Sequence, residues 1–164
     1  INMGHNGLQN RRASERIAAL GTVKRVAALG GVFGMGTADS EEHNYDAQTF
    51  ISSFKDVWAA MGSSPAVALG TDVNGMERLP RASKNIAPNF YTATFPRGKT
   101  GTRSWDYTTE GVVHYGLMAD FVRDVSRRDA TVYDNLMTAA EKFAQMWEKA
   151  DKQKACVRSG QPTC

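Results

Sequence analysis

A chain of 164 residues, 41% hydrophobic and 23% charged, has the composition of a globular protein and the length for one domain with a real core. Its formal net charge of +3 is too small to argue for nucleic acid by itself. No apolar run approaches the roughly 20 residues that a membrane helix needs, so no membrane-spanning segment is expected.

The first residues, Ile1-Asn2-Met3-Gly4, read like the end of a strand already under way, so the sequence is expected to be a piece of something longer. Residues Ser14 to Leu29 are Ala- and Leu-rich with basic residues between, which predicts a helix, with Gly21 as a point of interruption. Gly30 to Thr37, GGVFGMGT, reads as a glycine-rich buried strand. In DAQTFISSFKDVWAAMG, Phe50, Phe54, Val57, Trp58 and Met61 recur at helical spacing and give one apolar face. Ala66-Val67-Ala68-Leu69 is uncharged and fits a strand covered on both faces, ending in a small-residue turn that presents Asp72. Helix and strand thus alternate, the pattern of an α/β fold with a parallel sheet and crossover helices.

From Val73 to about Tyr107 no periodicity is visible, and Pro80, Pro88 and Pro96 interrupt the chain. This loop mixes Arg78, Arg81, Lys84, Arg97, Lys99 and Arg103 with Phe90, Tyr91 and Phe95. Basic and aromatic residues together occur on nucleic-acid surfaces. With no fold motif behind them, they are read instead as a solvated loop covering the end of a sheet or barrel. Two helical stretches follow. Val113, Leu117, Phe121 and Val122 mark the first, and Val132, Leu136, Ala140, Phe143 and Trp147 the second, both read as core stripes. Residues 1–150 form the expected domain and 151–164 a polar tail holding both cysteines, Cys156 and Cys164. They are either a small disulfide loop, which would imply an oxidising, secreted or periplasmic setting, or two free thiols.

Few residues offer chemistry. There is no Ser-nucleophile elbow, no phosphate-binding loop and no HExxH. GGVFGMG runs on as a strand instead of opening a helix, which rules out a dinucleotide fingerprint. His43 lies among acids on an expected surface loop, and His114 begins a helix, either packed or facing a site. What remains is His5 and Asp72, each at a strand end, and Arg16 near a helix start. Carboxylates at the C-terminal ends of parallel strands stand where α/β folds place their chemistry. An N-cap or Asx-turn is the plainer role for Asp72.

Three segments, GHNGLQNRRASERIAALGTVKRVAALGGVFGMG, ALGTDVNGM and WDYTTEGVVHYGLMADFVRDV, resemble the C-terminal part of the membrane (renal-type) dipeptidase family, zinc peptidases of the amidohydrolase group. The resemblance covers roughly residues 1–150. It implies the last third of a (β/α)8 TIM barrel, about strands six to eight with trailing helices. It implies His5 as a zinc ligand after the sixth strand and Arg16, eleven residues on, as the residue that binds a substrate carboxylate. Asp72, after the eighth strand, would contact the zinc-bound water and handle protons. Asn74, where some members carry an acidic residue, falls with the substrate-binding residues. The implied activity is hydrolysis of a dipeptide or similar small amide at a binuclear zinc centre, in a family that often forms homodimers. The family's remaining ligands, a His-x-Asp pair, a bridging Glu and a further His, are not in this chain. The chain alone is therefore expected to be inactive and incompletely covered. The alternative is a metal-free member acting as a binding or interaction protein.

Overall fold

The computed structural model describes residues 1–8, 17–37, 45–62, 65–71 and 79–158. Two strands, β1 (Asn2–Leu8) and β2 (Ile17–Ala18), precede helix α1 (Leu20–Ala28). Strand β3 (Val32–Gly36), helix α2 (Ala47–Met61) and strand β4 (Val67–Gly70) follow. The four strands form one parallel sheet in the order β2-β1-β3-β4. The α/β expectation therefore holds, with β3, α2 and β4 forming a βαβ unit.

The expected helix from Ser14 starts later. Ile17 and Ala18 pair with Gly7 and Leu8 as a strand, and α1 opens at Leu20. Gly21 lies in the first turn and does not break the helix, because the N–H groups there have no intrahelical partner to lose. Helix α2 matches its apolar stripe. Asp46 caps it, accepting from the Thr49 N–H at 2.9 Å, and Gly62, at φ +78°, ends it.

The two faces of the sheet differ in side-chain size. Phe33 and Met35 on β3, and Val67 on β4, join the main core with Val23, Phe50, Phe54, Val57, Phe121 and Val125. Burial of each such side chain stabilises by about 1.5–3 kcal/mol before conformational entropy is subtracted. Because strand side chains alternate, the opposite face carries Val32, Gly34 and Gly36 on β3, and Ala66, Ala68 and Gly70 on β4. Met146 covers its N-terminal end through Val32, Ala66 and Ala68. At its C-terminal end β3 and β4 carry the glycines Gly34, Gly36 and Gly70.

The stretch after the sheet is built on itself more than expected. It holds a two-residue hairpin, β5 (Lys99–Thr100) with β6 (Arg103–Ser104), and the short helix α3 (Tyr107–Glu110). Phe90 is fully buried against Tyr91, Phe95 and Tyr107. Two of the loop's cations stay exposed, as the solvated-loop reading has them, and are paired as well. Arg97 pairs with Asp106 at 2.7 Å and lies over the Tyr91 ring, while Arg103 pairs with Glu110 at 2.9 Å and stacks on Trp105.

A 3-10 turn, Tyr115–Leu117, leads into α4 (Met118–Arg128). Arg123, Arg127 and Arg128 of α4 donate to the carbonyls of Phe90, Asn89 and Lys84, tying the long loop to the body. The second expected core stripe is split. Helix α5 (Ala130–Met137) is capped by Thr138 and a separate helix, α6 (Ala139–Arg158), follows; Val132 and Leu136 are buried while Phe143 and Trp147 are exposed. Helix α6 carries the first eight residues of the polar tail. Cys156 is disulfide-bonded, which excludes the free-thiol reading for it; Cys164, the other cysteine, lies outside the described residues. Among the described residues no helix is long and apolar enough to cross a membrane.

Candidate functional site

The C-terminal ends of β3 and β4 meet β1 at His5, which stands in the middle of β1 and not, as the sequence suggested, just past a strand end, because the strand runs on to Leu8. Strand β1 pairs with β3 through Met3↔Phe33 and Asn6↔Met35, so one extra residue is accommodated between them. Such a bulge bends a strand and re-aims a side chain. Here it turns His5 across β3 toward β4. The ring passes over Gly36, where a Cβ would stand 2.9 Å from the His5 Cε1 and 3.3 Å from Nε2. Only glycine leaves that space. The same bend drives the Gly4 carbonyl against Gly34 and Gly70, where a Cβ at either position would collide with it.

The reach ends in a hydrogen bond. The His5 Nδ1 lies 2.6 Å from the carbonyl oxygen of Gly70. A carbonyl only accepts, so Nδ1 carries the proton, and the neutral ring then has its lone pair on Nε2. Among the described residues nothing hydrogen-bonds that nitrogen. A histidine with one ring nitrogen anchored to backbone and the other without a partner among the described residues has a lone pair available to a metal or a proton.

Two more side chains tie the strand ends together. The buried Thr37 donates from Oγ1 to the Thr71 carbonyl at 3.1 Å, and the Tyr45 hydroxyl donates to the Gly36 carbonyl at 2.8 Å. Tyr45 also accepts on its carbonyl from the Arg81 N–H, which joins the long loop to this end of the sheet. Neither Thr37 nor Tyr45 stood out in the sequence. The available signal was the alternation Gly34-x-Gly36 on one strand face, which marks a place where something must lie close to the backbone.

Of the sequence-derived candidates, the structure places His5 at this junction. Arg16, Asp72 and Asn74 lie outside the described residues, as does His43. Thr71, the residue before Asp72, closes the same cluster through its carbonyl. His114 is a local cap: its Nδ1 accepts from the Gly116 N–H at 3.0 Å, and its ring packs edge-on against Trp105. Its Nε2 is buried with no partner among the described residues.

As for zinc, His5 is a suitable nitrogen donor, but one ligand does not hold a metal. No group of three or more His, Cys, Asp or Glu side chains is gathered among the described residues. Comparisons with protein-family models, with curated proteins and with solved structures found no match to this chain.

Proposed function

We propose that this chain supplies part of the active site of a zinc-dependent hydrolase of the dipeptidase type, acting on a dipeptide or similar small amide. The observation that carries this reading is the His5 ring, anchored through Nδ1 to the Gly70 carbonyl at the C-terminal end of a parallel sheet, with no hydrogen-bond partner for Nε2 among the described residues. That end is where α/β folds collect catalytic groups. The four parallel strands are, in this reading, the sixth to eighth strands of a (β/α)8 barrel with one short added pairing at β2. The face that carries Gly34, Gly36 and Gly70 is then the barrel interior.

Zinc, when bound, would polarise the scissile carbonyl and supply an activated water. His5 would hold it through Nε2, with further ligands from outside the described residues. The resemblance noted above assigns Arg16 to the substrate's carboxylate, through a forked, charge-assisted contact that limits the substrate to dipeptide size. It assigns Asp72 to moving the proton toward the leaving amine, and it sets Asn74 beside the substrate.

The test is to isolate the native protein from its source with an antibody against the tail, weigh it, and assay dipeptide hydrolysis before and after chelation. The expected result is a mass well above the 17.9 kDa of this chain, with activity that chelation removes and zinc restores. His5→Ala and Asp72→Asn in that protein should both abolish turnover. A native mass of 17.9 kDa with no metal-dependent hydrolysis would overturn the proposal in favour of a metal-free binding protein.

A further inference from the structure

Among the described residues β4 is the last strand of the sheet, with β3 on one side of it. The backbone ladder between the two ends at the pair Gly36↔Gly70. Yet the Gly70 carbonyl is the point at which the His5 ring is fixed, at 2.6 Å, after it has crossed from β1 over β3. Two strand spacings, about 10 Å, separate β1 from β4. A drift of about 1 Å at the end of β4 would take the contact beyond hydrogen-bond length. An acceptor at the end of an outer strand therefore needs a further tie.

Thr37 supplies that tie. It is 1% exposed, and a buried hydroxyl costs stability unless it is bonded. Its Oγ1 donates across to β4, to the Thr71 carbonyl at 3.1 Å, one residue past the ladder. The side chain continues the pairing where the backbone ladder stops, at the carbonyl next to that of Gly70. The strand that carries Thr37 is itself held. The Tyr45 hydroxyl donates to the Gly36 carbonyl at 2.8 Å, and the Tyr45 carbonyl accepts from the Arg81 N–H at 2.8 Å. Valine has the shape of threonine without the donor, so packing alone does not call for a hydroxyl at this position.

We propose that Thr37 is a positioning residue for His5. Its hydroxyl holds the end of β4, which keeps the Gly70 carbonyl within reach of Nδ1. That fixes the proton on Nδ1 and leaves the lone pair on Nε2. The proposal rests on the hydrolase reading for the use made of that lone pair, since partners that orient a ligating histidine tune its hold on the metal.

Thr37→Val and Thr37→Ser in the native protein test it, with Thr37→Ala alongside in case the valine variant does not fold. The first readout is the ring-nitrogen NMR spectrum of His5 after chelation. The parent and Thr37→Ser should show the Nδ1–H tautomer, and Thr37→Val a mixture. The second is zinc affinity, by competition with a chromophoric chelator. It should fall about 10–100-fold in Thr37→Val and recover in Thr37→Ser. A side chain that only supports the fold would lower the melting temperature and leave the tautomer alone. That result, or equal effects of valine and serine, overturns the proposal. A shifted tautomer in a protein that binds no zinc would uphold the positioning role and remove the hydrolase reading. Zinc binding with an unmoved tautomer would do the reverse.

Discussion

His5 on β1 and Gly70 on β4 are joined by a 2.6 Å hydrogen bond although β3 stands between their strands. Three local features make this possible. A bulge in β1 turns the ring, Gly36 leaves β3 bare beneath it, and the parallel order brings all three strand ends to the same edge.

Gly36→Ala tests that relationship directly. The added methyl group would stand 2.9 Å from the His5 Cε1, so the ring must move or the strands must part. The expected cost is about 1–3 kcal/mol in urea unfolding, as for overpacking elsewhere. Nitrogen NMR of His5 should report the Nδ1–H tautomer in the parent protein and a mixture in the variant. An unchanged tautomer would mean that the ring is not held by Gly70.

Thr37→Val keeps the shape of a buried side chain and removes its donor to the Thr71 carbonyl. A loss of about 1 kcal/mol is expected, with Thr37→Ser retaining most of the stability. Equal losses for both substitutions would show that the methyl group matters and the hydroxyl does not.

Asp120 should respond to pH in the sense opposite to Asp106, Glu110 and Asp129, whose carboxyls are held low. Burial pushes its carboxyl above the usual range, against the opposing effect of a hydrogen bond from Tyr91, and its Oδ1 is buried without a partner among the described residues. Its folded-state value is raised, so its ionisation lowers stability as pH rises from the ordinary carboxylate range through the folded value. Asp120→Asn should therefore be the more stable protein at pH 7, and the advantage should vanish below about pH 4, where the acid is protonated in both states. Melting curves at the two pH values decide this. A variant less stable at pH 7 would show that the ionised carboxylate is satisfied in the fold.

Asp129 carries the usual sign. The hydrogen bond from Lys55, then that from the Val132 N–H, holds its carboxyl low, so its contribution is present at neutral pH and is lost as pH falls through the depressed value. It caps α5 through the Val132 N–H at 3.0 Å and pairs with Lys55 at 2.5 Å. Asp129→Ala should cost about 1 kcal/mol, mostly through the cap, because an ion pair with so exposed a lysine adds little. A loss that disappears in high salt would place the effect in the ion pair instead.

How far the sequence could be read depended on whether the signal was local. The helix over Phe50, Phe54 and Val57 is legible because an apolar face every 3.6 residues has one low-energy solution. The two strands Val32–Gly36 and Val67–Gly70 are legible because short uncharged runs between helices have few other places to go. The split at Thr138 is not legible, because Leu136 and Trp147 keep one period across it and only packing shows that one is inside and the other outside. The loop cations Arg97 and Arg103 are exposed as read, but their ion pairs are not legible for a similar reason. Their partners, Asp106 and Glu110, lie seven to nine residues away, and nothing in the local pattern requires the pairing.

The sequence by itself determined the alternation of helices and strands and the small-residue character of GGVFGMG, since each follows from side-chain size and spacing along the chain; His5, expected just past a strand end, stands in the middle of β1 instead. Only the tertiary structure decided which face Gly36 occupies, that the His5 ring crosses it to reach Gly70, and that Trp147 on α6 stands in the open. Those depend on strand register and helix direction, which are set by contacts between residues far apart in the chain.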